Sequence, residues 1–260
     1  MIDPAPLLSS KSGAGLTRHT FGRKLRGKDK EHSQTTTPEK GWDVFMHQRE
    51  IHNLWQDLYK AGVIRDKQHI ILSSGLHTEK YGNFVTAKIP FGYREQLLRW
   101  VKYIIENVFT EQTVFLGTGC GRWYAEQTAF RFRCDSVYAE RNLRGDFVFN
   151  RDQGLILAGR PVIIVDDVLT EGTTLAKLIT LASSYGGTPV ACTVFLNRSG
   201  KPFKNAAVKY VPVHAMYEEN FPTWTEADCP MCKDGVPFST QHGKGAEVFH
   251  LKGQPQPQKS

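Results

Sequence analysis

No apolar run in this 260-residue chain approaches the roughly 20 residues that cross a bilayer, so no membrane-spanning segment is expected. Cysteine is sparse and odd in number, five in all and at no framework spacing. That argues against a disulfide-stapled scaffold and for a reducing, cytoplasmic compartment. A phosphate loop ending in Gly-Lys-Ser/Thr is absent, as is the Gly-x-Gly-x-x-Gly fingerprint, so neither of those nucleotide sites is expected. Strong basic character is missing from the body of the chain. More than half of the net charge of +7 falls in residues 1–40, which hold eight Lys/Arg against four Asp/Glu. With its charges so nearly balanced, the remainder is not expected to bind nucleic acid. The basic leader carries Asp3 and no amphipathic arginine helix, which argues against an organelle transit peptide.

What is present is enough apolar residue, 40% of the chain, to bury the core of one domain. Residues 1–42, rich in Ser, Thr, Gly and Lys, read as a disordered basic extension. Residues 244–260, with Gln254-Pro255-Gln256-Pro257-Gln258, read as a flexible tail. The domain is expected between them, over residues 43–243. Ile51, Leu54, Trp55, Leu58 and Tyr59 mark one helix face that Gly62 ends, and Pro90 opens a second helix carrying Leu97, Leu98, Val101, Ile104 and Ile105. Strand-like runs alternate with such helices, which predicts an α/β fold on a parallel sheet.

One run carries most of the chemistry: Val162-Ile163-Ile164-Val165-Asp166-Asp167-Val168-Leu169-Thr170-Glu171-Gly172-Thr173-Thr174. The apolar start reads as a fully buried strand, and Leu175, Leu178, Ile179 and Ala182 continue beyond it at helical spacing. Between them Gly172 permits a tight turn, and the amides of the loop and first helical turn suit a phosphate monoester. Thr170, Thr173 and Thr174 add hydroxyls, while Asp166 and Asp167 at the strand's carboxyl end can accept from two vicinal hydroxyls. The ligand suggested is a ribose 5-phosphate. An ordinary strand-to-helix turn capped by Asp and Thr is the plainer alternative.

This run resembles the phosphoribosyl-diphosphate (PRPP) motif of the type I phosphoribosyltransferases. Three further segments are similar to the orotate-specific branch. Ile70-Ile71-Leu72-Ser73-Ser74-Gly75-Leu76-His77-Thr78-Glu79-Lys80-Tyr81 resembles the family's Ser-Gly-x-x-Ser/Thr-x-x-Tyr segment over the orotate ring. Asn197-Arg198-Ser199-Gly200 resembles Asp-Arg-Ser-Gly, whose arginine pairs with the orotate carboxylate. Cys229-Pro230-Met231-Cys232-Lys233-Asp234-Gly235-Val236-Pro237 resembles a Cys-Pro-x-Cys-x-x-Gly-x-Pro tail. An arginine suits a carboxylate because its planar fork makes two parallel bonds.

The resemblance covers roughly residues 44–243 and implies a central parallel sheet flanked by helices, with a small hood. It also implies a glycosyltransferase that moves the 5-phosphoribosyl group from PRPP to orotate in pyrimidine (UMP) biosynthesis. The implied PRPP residues are Asp166, Asp167, Val168, Leu169, Thr170, Glu171, Gly172, Thr173 and Thr174, with Cys120 and Gly121 in the Gly117-Thr118-Gly119-Cys120-Gly121 loop. Ser74, Gly75, Tyr81, Thr170 and Arg198 are implied for orotate, and Arg141 with Asp166 and Asp167 for catalysis. Mg²⁺ is implied, held mainly by the diphosphate without a protein cage, and so is a homodimer.

The chain departs from the family pattern at Ser73, Arg122, Glu171 and Asn197. Cys229 and Cys232 offer half a zinc site with His242 as a third ligand and no evident fourth, or simply a structured tail. Two other functions stay open: transfer to another base, and a non-enzymatic PRPP-binding regulator.

Overall fold

In a computed structural model, residues 48–85, 89–106, 108–200, 210–245 and 247 are described. The chain divides after Asp43, and every described residue belongs to the second unit, Val44–Ser260. The expected basic extension and nearly all of the expected tail lie outside the described residues.

The elements in chain order are α1 (Gln48–Lys60), β1 (Ile64–Arg65), β2 (Ile70–Ile71), β3 (His77–Thr78), β4 (Tyr81–Gly82), α2 (Phe91–Ile105), β5 (Val114–Gly117), α3 (Gly121–Phe132), β6 (Asp135–Arg141), β7 (Phe147–Phe149), β8 (Pro161–Leu169), α4 (Thr173–Ser184), β9 (Thr188–Asn197), β10 (Val213–Glu218), β11 (Thr223–Trp224) and α5 (Pro230–Lys233). Six strands form the main sheet in the order β10-β9-β8-β5-β6-β7, and all neighbours are parallel except the hairpin β6–β7.

Alternation along the strands sorts the apolar residues into two cores. Ile163, Val165, Phe115, Ala191 and Phe195 face one side with Leu97, Tyr124 and Ala125, from α2 and α3. Val162, Ile164, Val114, Leu116, Cys192 and Val194 face the other side with Leu175, Leu178, Ile179 and Ala182 from α4. Helices cover both faces, which is why the strand from Val162 reads as an unbroken apolar run. Each fully buried Val or Ile contributes about 1.5–3 kcal/mol relative to exposure. The predicted α1 and α2 are present, and β8 runs on through Leu169, so both acids belong to the strand rather than to the loop.

Two small sheets sit beside the carboxyl edge of the main one: the pair β1–β4, and β11-β3-β2. They correspond to the expected hood. Lys80 and Glu219 form an ion pair, while Trp55 Nε1 donates to the same carboxylate at 3.0 Å. The hood is thereby tied to α1 and to the end of β10. Among the described residues no helix is long and apolar enough to cross a membrane.

Candidate active site

Strand order reverses between β5 and β8, since β5 leads to β6 on one side and β8 leads to β9 on the other. In an open parallel sheet the carboxyl ends at such a reversal leave a crevice, because the following helices depart to opposite faces. A cleft of about 500 Å³ opens there. It is lined by Asp166, Asp167 and the whole of Val168 to Thr174 on one wall, and by Ser73, Ser74 and Tyr81 on the other, with Arg198 between.

The phosphate loop takes its shape from Gly172. Its φ of +73° places the helix N-cap in the left-handed region, and the amide of Ala176 closes the first turn on its carbonyl at 2.9 Å. The amides before Ala176 stay available at the positive end of α4. Glu171 and Thr170 are exposed on this loop.

Asp166 is buried, 7% exposed, and the Asp167 amide donates to its carboxylate at 3.0 Å. Burial, and after it the neighbouring Asp167 charge, raises its carboxyl well above the usual carboxylate range, while Arg141 pulls the other way. Cys120 donates its thiol to Asp167, and burial next to that carboxylate pushes the thiol up to about 12. It is no thiolate nucleophile at neutral pH.

Gly121 is buried and acts in packing. A Cβ there would stand 2.2 Å from the Val165 carbonyl oxygen and 2.8 Å from Asp166 Cα. The missing side chain lets α3 lie directly on the acid-bearing end of β8. Thr118 steadies the same loop by donating to the Ala139 carbonyl at 2.9 Å. Cys120 and Gly121 therefore stand behind the acids and are not among the residues lining the cleft.

Arg198 is 5% exposed, yet no carboxylate among the described residues pairs with it. Nη2 donates to Thr78 Oγ1 at 3.1 Å, Nε has no hydrogen-bond partner, and the Phe221 ring lies 5.5 Å from the guanidinium. Burial lowers this guanidinium to about 10, the Tyr81 phenol opposing. A buried cation without a counterion, opening on a cleft, is a site for an anion.

The other expected residues are more scattered. Gly75 is exposed at φ +83°, turning the segment that presents Ser74 without lining the cleft itself. Arg141 sits on the β6–β7 hairpin, donating to the Gly145 carbonyl at 2.9 Å with its guanidinium 4.2 Å from the Phe147 ring centre. It too is outside the lining residues. Arg122, a departure from the family pattern, is tied to Glu126 at 2.7 Å and lies over Tyr138. His242 is not the partner of the two cysteines. Its ring stacks with Tyr81 at 6.2 Å, whereas Cys229 and Cys232 gather with His69 and His77.

Sequence reasoning missed Lys244 and Gly243, which also line the cleft, as does Leu72 from the segment of residues 70–81. The Lys244 amide donates to the Ile71 carbonyl at 2.7 Å, so the packed segment runs past residue 243. A lysine next to a glycine, following the cysteine-containing tail, was the only local signal for it.

A scan against protein-family models finds no match. Among curated proteins, the chain is 27% identical over 195 residues to the orotate phosphoribosyltransferase of Thermotoga maritima, covering 72% of this chain and 96% of that protein. It is 29% identical over 174 residues to that of Caldicellulosiruptor saccharolyticus, covering 65% and 85%. Among solved structures, the orotate phosphoribosyltransferase of Aeropyrum pernix superposes with a TM-score of 0.50 at 21% identity, over 64% of this chain and 93% of that one. An adenine phosphoribosyltransferase from Trypanosoma brucei also reaches 0.50, at 14% identity over 76% and 91%. With its sheet, its acid-bearing strand and its loop-to-helix turn in this arrangement, the chain has the fold of the type I phosphoribosyltransferases.

Proposed function

We propose that the protein is an orotate phosphoribosyltransferase, converting PRPP and orotate to orotidine 5-phosphate and diphosphate. The observation that carries this is Arg198: a buried guanidinium with an unpaired Nε, open to the cleft that holds the acid pair and the phosphate loop. A planar carboxylate on the base answers it with two parallel bonds. Adenine has no carboxylate to offer. The curated relatives are named for orotate, in agreement with this choice.

The loop from Thr170 to Thr174 holds the 5-phosphate with amides and hydroxyls, and Asp166 and Asp167 accept from the ribose hydroxyls. A base held on Arg198, beneath Ser74 and Tyr81, has its nitrogen aimed at ribose C1. As the bond to diphosphate breaks, positive charge develops on the ribose ring and negative charge on the leaving group. The acids sit beside the first, and Arg141, if its hairpin closes, meets the second. No protein nucleophile takes part.

Mg²⁺ suits the site. The two adjacent acids supply hard oxygens but form a pair rather than a cage, so the diphosphate would complete the coordination. Bound there, the ion would neutralise leaving-group charge. A homodimer in which the β6–β7 hairpin carrying Arg141 reaches across, working in a reducing cytoplasm, is the assembly that the family resemblance supports.

The test is to mix protein, PRPP, orotate and Mg²⁺ and follow orotate absorbance. Its disappearance, with formation of orotidine 5-phosphate, is the expected result. No loss at high protein concentration overturns the proposal, and PRPP binding without turnover of any base would mark a regulator instead.

A further inference from the structure

Four side chains that the reaction does not use converge beneath the hood. The ligand atoms of His69, His77, Cys229 and Cys232 all lie within 4.8 Å of one another. Cys232 Sγ is 3.2 Å from His77 Nδ1 and 3.5 Å from His69 Nε2, and Cys229 Sγ is 3.6 Å from His69 Nε2. A tetrahedral ion with two thiolates and two imidazoles at ordinary bond lengths separates its ligand atoms by about 3.3–3.8 Å, close to the three sulfur–nitrogen spacings found here. The two ring nitrogens are closer, 2.8 Å, a distance that a shared proton explains.

The surroundings point the same way. His69 is 3% exposed, His77 5% and Cys229 fully buried. His69 Nδ1 lies 2.7 Å from the Val236 carbonyl oxygen, which can only accept, so Nδ1 carries a proton. Its Nε2 is then left with a lone pair facing the cluster, as metal-bound histidines are oriented by their outer hydrogen bond. Since Nε2 of His69 accepts, the proton between the rings sits on His77 Nδ1. When a divalent ion binds, the two thiols lose their protons and His77 carries its proton on Nε2 instead of Nδ1, after which both rings and both sulfurs point at one centre.

We infer that His69, His77, Cys229 and Cys232 form a closed structural zinc site. Soft thiolates with imidazoles in a four-ligand set select zinc over the hard cations, and with every position taken by protein the ion has no open site for catalysis. Its role is mechanical. β2 and β3 are only two residues long, and the tail carrying the cysteines crosses them: the amide of Ser239 donates to the His69 carbonyl at 2.7 Å, as that of Lys244 does to Ile71. His77 and Thr78 are consecutive on β3, so one serves the ion while the next holds Arg198 from the opposite face of the strand. The site is independent of which base the enzyme takes.

Metal analysis of the intact purified chain tests this without substrate. Close to one zinc per chain is expected, falling to trace in Cys232→Ser and in His69→Ala, and retained in His242→Ala. Cobalt exchanged into the unmutated protein should give a thiolate charge-transfer band and tetrahedral d–d bands, a readout that survives misfolding of any variant. Removing zinc with a chelator should lower the melting temperature by about 5 °C or more. Folded protein that carries no zinc and takes up neither zinc nor cobalt would overturn the site. Full zinc retention in both His69→Ala and Cys232→Ser would overturn the ligand set.

Discussion

Arg198 donates through Nη2 to the Thr78 hydroxyl at 3.1 Å, joining the end of β9 to a strand 120 residues earlier. Thr78 Oγ1 in turn lies 2.7 Å from the Pro222 carbonyl and accepts from the Lys80 amide at 3.3 Å. Its one proton goes to Pro222, leaving lone pairs for the arginine and the amide. Thr78 thereby positions the guanidinium without lining the cleft. Thr78→Val keeps the shape and removes the acceptor, and should raise the KM for orotate by about 1 kcal/mol with a smaller change in kcat. Steady-state kinetics with orotate and PRPP varied in turn decide it: an unchanged orotate KM removes Thr78 from this role.

Arg198→Lys separates charge from shape. A lysine keeps the positive charge but presents a point rather than a fork, so orotate should weaken by about 1.5–3 kcal/mol while PRPP binds as before. Calorimetric titration with each ligand makes the comparison. Equal losses for both would mean that Arg198 supports the cleft generally.

The Asp166 carboxyl is raised by burial, and next by Asp167, so folding favours its protonated form. That stabilising contribution is complete below the ordinary carboxylate value and is lost as pH climbs through the raised one. Asp166→Asn escapes the loss. The variant should become more stable than the parent as pH rises from the acid carboxylate range to neutrality, while its affinity for PRPP falls. Denaturation midpoints across that range test the sign, and a variant that loses ground with rising pH would contradict it.

Gly121→Ala sets a methyl group against backbone rather than against a side chain that could swing away. Overpacking of this kind costs about 1–3 kcal/mol. Loss of stability and loss of PRPP binding should appear together, since the strain falls on Val165 and Asp166. Urea denaturation that leaves the midpoint unmoved would show that the helix can retreat.

Glu171 is exposed on the phosphate-loop wall. Its charge opposes that of a bound phosphate through solvent-like surroundings, so Glu171→Gln should tighten PRPP by up to about 1 kcal/mol, less at high salt. Binding measured at two ionic strengths is the check, and weaker binding in the variant would assign Glu171 a supporting contact.

The sequence announces what repeats. Leu54, Trp55 and Leu58 are buried on α1 as their spacing predicts, and the apolar run from Val162 is covered on both faces. The acids and the loop at the end of that run could be read because the chemistry is contiguous in the chain. The hood is different. Strands of two residues are too short to show a period, and β3 owes its place to partners on both sides, Ile71 and Trp224. His69 and His77 follow no ligand spacing in sequence; the β2–β3 hairpin brings them together. Lys244 arrives through one backbone hydrogen bond to Ile71, which no residue pattern encodes.

The cleft's two walls differ in how the chain holds them. Thr170 to Thr174 extend from β8, which is laddered to β5 and β9 on either side, and Arg198 follows β9 directly. The facing wall, around Ser73, Ser74 and Lys244, hangs on short ladders and a few amide bonds. Local opening is cheapest where few hydrogen bonds and few buried contacts must be given up. Amide exchange should therefore be slow along β8 and β9, which carry the phosphate wall, and fast along the strands that carry the base wall. A product leaving this cleft would depart by the yielding side, with its phosphate the last part to let go.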